Sequence, residues 1–277
     1  MAKTKTRKIS FLGAGNMGEA MIKGLIRNGS PPSSITVYEK DSSRLAYITR
    51  TYKVKKADSL ADALEADATV VAVKPKDLDA LLDKVAGTET SLPLLISIAA
   101  GIPVSRFTDR LGPKARVVRV MPNTPALIGK GVSAYFAGPG VKSRDLSLAE
   151  SIVKALGPCH KVDDEGLMDA VTGVSGSGPA YVFAVVEAMS DAGVKMGLPR
   201  AMATSLAANT VAGAAAMVAQ TGEHPAALKD KVTSPGGTTI AGMAELERGG
   251  LRAALINAVE AATMRSRELG NPSKGDK

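Results

Sequence analysis

Short, uninterrupted apolar runs alternate with amphipathic stretches through the first 120 or so residues. Residues 8–12, 35–38, 68–73, 94–99 and 116–120 read as strands. The run Ala68-Thr69-Val70-Val71-Ala72-Val73 shows no in-and-out alternation, which is the pattern of a strand covered on both faces. Between these runs, residues 16–28, 42–52, 57–66, 78–85 and 104–111 carry helical spacing. In the first, Met17, Ala20, Met21, Gly24 and Leu25 share one face, and Gly29 with Pro31-Pro32 ends the pattern. The alternation predicts a parallel sheet with helices on both sides.

After about Val162 the strand-like runs stop. Alanine-rich helical segments follow at 167–171, 179–196, 199–220, 225–232, 239–247 and 251–268. Pro199 and Pro225 fall where a first helical turn tolerates proline. Residues 206–219 are almost wholly small or apolar, and a helix apolar all round must be covered on every side. A domain this small has little material for that, so a second chain is expected to complete the burial. The alternative is a central helix in a monomeric bundle. The tail from residue 271 reads as disordered.

A length of 277 residues suits two domains. Composition then narrows the function classes. Aromatics are 3% and Trp is absent, which argues against base-stacking modules and sugar platforms. The net charge of +8 is scattered, and its densest cluster, Lys3, Lys5, Arg7 and Lys8, reads as a solvated tail rather than a nucleic-acid interface. One cysteine, Cys159, and two histidines, His160 and His224, exclude an internal disulfide and a zinc site of the usual kind. No metal is expected. No apolar run reaches the roughly 18 residues of a membrane span, and no signal-peptide core follows the basic start. These features point to a cytoplasmic protein with neither membrane nor nucleic-acid partner.

The first chemistry-bearing motif follows the first strand. Gly13, Ala14, Gly15, Asn16, Met17 and Gly18 give G-x-G-x-x-G, opening directly into a helix. The first glycine makes the tight turn, the second lets backbone approach a pyrophosphate, and the third lets helix and strand pack closely. Unpaired N–H groups at the helix start then face the phosphates. The first half therefore reads as an NAD(P)-binding α/β Rossmann-type domain over residues 1–163, followed by an all-α domain over 164–277. At the end of the second strand Glu39 suits ribose hydroxyls and NADH, whereas Lys40 and Arg44 suit a 2′-phosphate. NADPH is the expected cofactor, with NADH open. Ala72, Val73, Lys74 and Pro75 end the central strand beside the expected dinucleotide, and Ile98, Ala99 and Ala100 leave room for a nicotinamide ring.

A second motif lies in the helical half. Thr233-Ser234-Pro235-Gly236-Gly237-Thr238-Thr239 precedes a helix, whose N–H groups and hydroxyls suit a carboxylate. Capping by Ser234 or Thr238 explains the same residues equally well. A further loop, Ser175-Gly176-Ser177-Gly178-Pro179-Ala180, precedes another long helix and is a candidate wall of the same pocket.

These motifs, with AVKP at Ala72, SIAAG at Ser97, RVMPNTPA at Arg119, SGSGPAY at Ser175, GVKMGLPR at Gly193 and VTSPGGTTIAGMAELE at Val232, resemble the pyrroline-5-carboxylate reductases, in family order over nearly the whole chain. The resemblance implies reduction of a cyclic imine to proline by NAD(P)H, the last step of proline biosynthesis. It implies a helical dimerisation domain, with interleaved homodimers that assemble further into decamers. It places the functional hydroxyl on Thr239, with Ser234, Gly236, Gly237, Thr238 and Ser175 around the substrate. It puts Ser59 near the adenosine, where relatives often carry Asn, and Lys40 where they often carry Arg. A β-hydroxyacid dehydrogenase shares the glycine-rich start, but it needs a lysine on the helix after the glycine-serine loop, and residues 179–190 contain none. A non-catalytic dinucleotide sensor would not need the TSPGGTT loop.

Overall fold

A computed structural model describes residues 6–270. The tail from residue 271, and Lys3 and Lys5 of the basic cluster, lie outside the described residues. The chain divides into two compact units, one running to Ser177 and resuming at Ala261, the other Gly178–Glu260.

The first unit is built on β1 (Ile9–Leu12), α1 (Asn16–Arg27), β2 (Ile35–Tyr38), α2 (Ser42–Tyr52), β3 (Lys55–Lys56), α3 (Leu60–Leu64), β4 (Ala68–Val71), α4 (Pro75–Ala86), β5 (Leu94–Ser97), α5 (Ser105–Leu111) and β6 (Val117–Met121). It continues through β7 (Ser133–Ala137), α6 (Ser143–Val153), β8 (Cys159–Lys161) and α7 (Leu167–Val171) into a π-helical turn, Thr172–Gly176. The eight strands form one sheet in the order β3-β2-β1-β4-β5-β6-β7-β8. From β3 to β6 all pairs are parallel, in register Phe11 opposite both Val37 and Val70.

Side chains of the central strands alternate between two cores. Ile9, Phe11, Val70, Ile96 and Val118 join Met21, Ile22, Leu25, Ile48 and Ile152 on one face. Leu12, Val71, Leu95 and Val117 join Leu64, Leu78, Leu82 and Phe107 on the other. Burial of each large side chain contributes about 1.5–3 kcal/mol, which is why strands covered on both faces need continuous apolar runs. Ser10 and Thr69 interrupt those runs without penalty because their buried hydroxyls bond each other at 2.7 Å.

Beyond residue 121 the structure adds elements that the apolar pattern did not predict. β7 pairs antiparallel with β6, and β8 pairs parallel with β7. β8 has three residues, none fully buried, and so carries no apolar run. The expected helix over 57–66 shortens to α3, with β3 before it and the Ser59 hydroxyl capping it by accepting from the Asp62 N–H at 3.1 Å.

The second unit comprises α8 (Gly178–Lys195), α9 (Arg200–Thr221), α10 (Pro225–Lys231), α11 (Thr238–Arg248) and the start of α12 (Leu251–Gly270). α8 and α9 approach closely where Gly193 faces Ala203: a Cβ on that glycine would lie 2.9 Å from the alanine's. Beside it the Ser190 and Thr204 hydroxyls bond at 2.7 Å. On α9 only Ala203 and Ala207 are buried. Phe183, Met196, Leu206, Met217 and Ile256 are half exposed or more, so this chain alone leaves the expected burial unfinished. α9 is also long and apolar enough, by length and composition, to cross a membrane, contrary to the expectation that no segment would be. Core helices of soluble proteins pass the same test.

Candidate functional site

The cradle for a dinucleotide begins where β1 ends. Gly13 has φ +92°, and a Cβ there would lie 2.8 Å from the Ala72 carbonyl oxygen, so only glycine fits. Its N–H donates to the Tyr38 carbonyl at 2.8 Å, tying the turn to β2. Gly15 is the N-cap of α1, and an added Cβ would meet nothing within 4 Å. A Cβ on Gly18 would sit 3.1 Å from the Gly13 carbonyl oxygen, so α1 presses directly onto the turn. No side chain caps α1, and the N–H groups of Asn16, Met17 and Gly18 have no acceptor among the described residues. They are free for an anion.

Above this turn lies a cavity of about 410 Å³ at the carboxyl ends of β1, β2 and β4, where the strand order reverses. Leu12, Gly13 and Gly15 form one side, Tyr38, Glu39 and Lys40 the second, and Ala72, Val73 and Lys74 the third. Lys76, Asp77 and Lys84 of α4 complete the rim. Four lysines against two carboxylates make the rim cationic, as phosphates require. A dinucleotide thus fits the residues present: open space at Gly15, unspent N–H groups and a cationic mouth.

Of the residues expected to bind cofactor, Gly13, Gly15, Glu39, Lys40, Ala72, Val73 and Lys74 line this cavity. Ala14 is buried behind the turn, and Pro75 is the first residue of α4. Ser59 lies outside the lining, with its hydroxyl committed to the α3 cap. Ile98, Ala99 and Ala100 also lie outside it, just past β5. That loop packs against the end of α12, where a Cβ on Gly270 would come within 2.8 Å of the Gly101 carbonyl oxygen.

The charged residues after β2 divide sharply. Lys40 extends into solvent and pairs with Asp77 at 3.0 Å, which holds the Asp77 carboxyl below its usual range. Arg44 does not reach the cavity as expected. Its Nε donates to the Ala14 carbonyl at 2.6 Å, and its guanidinium pairs with Glu19. Glu19 also accepts from the Tyr52 hydroxyl at 2.7 Å. Burial pushes the Glu19 carboxyl up, but the bonds from Tyr52 and Arg44 outweigh it and hold the group low. Burial, then the bond to Glu19, pushes Tyr52 up to about 12.

One buried network escaped the sequence reading. Arg119, on β6 and almost wholly inaccessible, pairs with Glu165 at 3.2 Å and Asp169 at 3.7 Å. Glu165 also accepts from the Val104 N–H at 2.7 Å, and Asp169 accepts from the Ser266 hydroxyl at 2.7 Å. The signal was present as an arginine inside the apolar run VVRVM. The network fixes α7 and so the π-helical turn behind it. In that turn Ser175 donates to the Val171 carbonyl at 3.0 Å, and Gly176 rests on Met121, whose Cε lies 2.4 Å from where a Cβ would stand.

In the second unit the loop before α11 is shaped by its two glycines. Gly236 has φ +67°, and a Cβ on Gly237 would lie 2.3 Å from the Ser234 Oγ. Gly237 is the N-cap, and neither Ser234 nor Thr238 caps the helix. The Gly237 N–H donates to the Ser234 carbonyl at 3.1 Å and is spent there. The N–H groups and hydroxyls of Thr238 and Thr239 have no partner among the described residues. Thr239 is half-buried and Thr238 exposed. Outside this loop, His224 caps α10 by accepting from the Ala226 N–H at 3.2 Å. Burial pushes the Cys159 thiol up, and no cluster of three potential metal ligands occurs among the described residues.

Comparison with known proteins places both halves. Residues 165–269 match the family model for pyrroline-5-carboxylate reductase dimerisation, and residues 8–101 match that for coenzyme F420-dependent NADP oxidoreductases. A pyrroline-5-carboxylate reductase of Synechocystis is 46% identical over 95% of this chain and 98% of its own length. The structure of a Coxiella burnetii pyrroline-5-carboxylate reductase superposes with a TM-score of 0.91 at 36% identity, over 96% of this chain and all of the other. A Plasmodium falciparum pyrroline carboxylate reductase solved with NADP bound gives a TM-score of 0.84 at 32% identity, over 96% and 99%.

Proposed function

The chain belongs to the pyrroline-5-carboxylate reductase family, and from that premise we infer that it reduces the C=N bond of 1-pyrroline-5-carboxylate to give L-proline. It is an NAD(P)-dependent oxidoreductase of the last step of proline biosynthesis. NADPH is its reductant, with NADH the alternative. The observation that carries the reading is a pair of unspent donor sets: the cradle at Gly13, Gly15 and the start of α1, and the N–H and hydroxyl groups of Thr238 and Thr239.

The N–H groups of Asn16, Met17 and Gly18 would hold the pyrophosphate of the dinucleotide, and Glu39 and Lys40 would stand at its ribose end. Ala72, Val73, Lys74 and Pro75 would border it, and Ile98, Ala99 and Ala100, past β5 and outside the cavity lining, would be the candidates to flank the ring. When bound, the reduced nicotinamide supplies a hydride. The chain's own residues position the imine. The Thr238 and Thr239 N–H groups bind its carboxylate, with Ser234, Gly236 and Gly237 shaping the loop. The Thr239 hydroxyl bonds the ring nitrogen and orients it. A protonated imine is already electrophilic, so positioning and electrostatics suffice without a histidine or carboxylate acid.

The substrate and dimerisation part begins near residue 164. The exposed apolar side chains of α8, α9 and α12 are covered by a second copy, giving an interleaved homodimer that assembles into a decamer. The protein works in the cytoplasm, which its lone unpaired cysteine suits. Incubation with the imine and NADPH, followed by chiral amino-acid analysis, tests the reaction. L-proline is the expected product, and consumption of NADPH without proline would refute it. Sedimentation velocity tests the assembly: a dimer or a multiple of it is expected, and a stable monomer refutes it.

A further inference from the structure

Glu39 stands where an acidic residue ordinarily reads the ribose, yet its carboxylate is directed elsewhere. One oxygen accepts from the Ala14 N–H at 2.8 Å, and the other from the Asp41 N–H at 3.1 Å. Ala14 is fully buried, so water cannot replace that acceptor, and an unmatched N–H there is costly. The other side of the same residue is held as well. The Ala14 carbonyl accepts from Arg44 Nε at 2.6 Å, and Arg44 is itself pinned by Glu19, which Tyr52 and Tyr47 also bond. Ala14 lies between the first two glycines of the turn that carries the phosphate-binding N–H groups. A side chain from the end of β2 and one from α2 therefore grip both backbone groups of this residue.

We propose that Glu39 and Arg44 are positioning residues that clamp the Ala14 backbone, and that Glu39 serves NADPH and NADH alike instead of selecting between them. The proposal rests on the dinucleotide reading of this cradle. It opposes the ribose-reading role that position alone assigns to Glu39. A ribose reader accepts from the 2′-hydroxyl of NADH and repels the 2′-phosphate of NADPH, so its loss shifts the ratio of the two affinities. A clamp contributes to the turn shared by both cofactors, so its loss weakens both and leaves the ratio alone. Selection then falls to Lys40, which lines the cavity beside Asp77 and is largely exposed.

The test measures Kd for NADPH and for NADH directly, by titration calorimetry on full-length wild type, Glu39→Ala, Glu39→Gln and Arg44→Ala. Folding of each is checked by circular dichroism. Glu39→Ala and Arg44→Ala are expected to weaken both dinucleotides by about tenfold or more, with the NADPH-to-NADH ratio held within about threefold. Glu39→Gln keeps a neutral acceptor for the Ala14 N–H, and is expected to restore both affinities to within about threefold of wild type. Exchange of the Ala14 amide is expected to quicken in Glu39→Ala and to stay slow in Glu39→Gln. Should Glu39→Ala not fold, the glutamine variant and Arg44→Ala carry the same comparison. A ratio shifted beyond threefold in Glu39→Gln, or wild-type affinity in Glu39→Ala, overturns the clamp while leaving the dinucleotide reading intact. Failure of wild type to bind either dinucleotide overturns both.

Discussion

Replacing Thr239 with alanine separates catalysis from architecture, because the structure gives that hydroxyl nothing structural to do. Gly237 is the N-cap of α11, and the Thr239 side chain has no partner among the described residues. Its removal leaves no buried donor unmatched. Alanine is the better helix former by roughly 0.5 kcal/mol, so stability holds or rises slightly. Turnover behaves differently. One hydrogen bond to the imine nitrogen, made in the transition state, is worth about 10- to 1000-fold in kcat. At 1.36 kcal/mol per decade this is roughly 1.4–4 kcal/mol of barrier. KM for the imine is expected to move little, because the Thr238 and Thr239 N–H groups that bind the carboxylate survive the substitution. Steady-state rates with the imine and a thermal melt on the same preparation read both quantities. Thr239→Ser restores the hydroxyl and most of the rate. Unchanged kcat in T239A refutes the role, and so does a rate loss that only tracks a fallen melting temperature.

Three further perturbations follow from the first unit. Gly13→Ala forces a side chain into φ +92° with its Cβ 2.8 Å from a backbone oxygen, so a stability loss of at least about 2 kcal/mol by urea titration is expected, together with weaker dinucleotide binding; wild-type values for both would contradict the account. Arg119→Met leaves Glu165 and Asp169 without their cation, and a loss of about 3 kcal/mol is expected, whereas a loss under about 1 kcal/mol would show the network to be dispensable. The Glu19 carboxyl sits below its ordinary value of 4.5 in the folded chain, so it adds stability above that pH and surrenders it as the pH falls further. Glu19→Gln is therefore expected to be less stable near neutrality but less sensitive to acid, and parallel stability-against-pH curves for the two proteins would deny the coupling.

The parts of the molecule legible in the sequence are those where one physical demand dominates. Strands buried on both faces must be predominantly apolar, with any polar group paired, so β1, β4 and β5 announce themselves. The glycine turn is legible because its backbone tolerates nothing else at Gly13. β7 and β8 are not, since they lie towards the sheet edge with mixed burial and obey several weak demands at once. The stretch after β6 did carry a signal, in glycines at 131 and 138 bracketing the run that became β7. Side-chain assignment at the cofactor mouth was beyond sequence reasoning for another reason. Glu39, Lys40 and Arg44 are close in the chain, yet one turns to Ala14, one to Asp77 and one to Glu19. Only the packing of α1, α2 and α4 around the turn decides which partner each finds. α9 shows the converse: its lack of a polar face was readable, and the structure shows that its own chain does not cover it.

The central claim is imine reduction by this chain with a nicotinamide cofactor. Purified protein is mixed with 1-pyrroline-5-carboxylate, and nicotinamide absorbance is followed with NADPH and NADH in parallel. Oxidation that depends on the imine is expected with both, faster with NADPH because the cavity rim carries four lysines, Lys40 among them, that suit an added 2′-phosphate. No oxidation with either cofactor, from folded protein that binds them, would contradict the account.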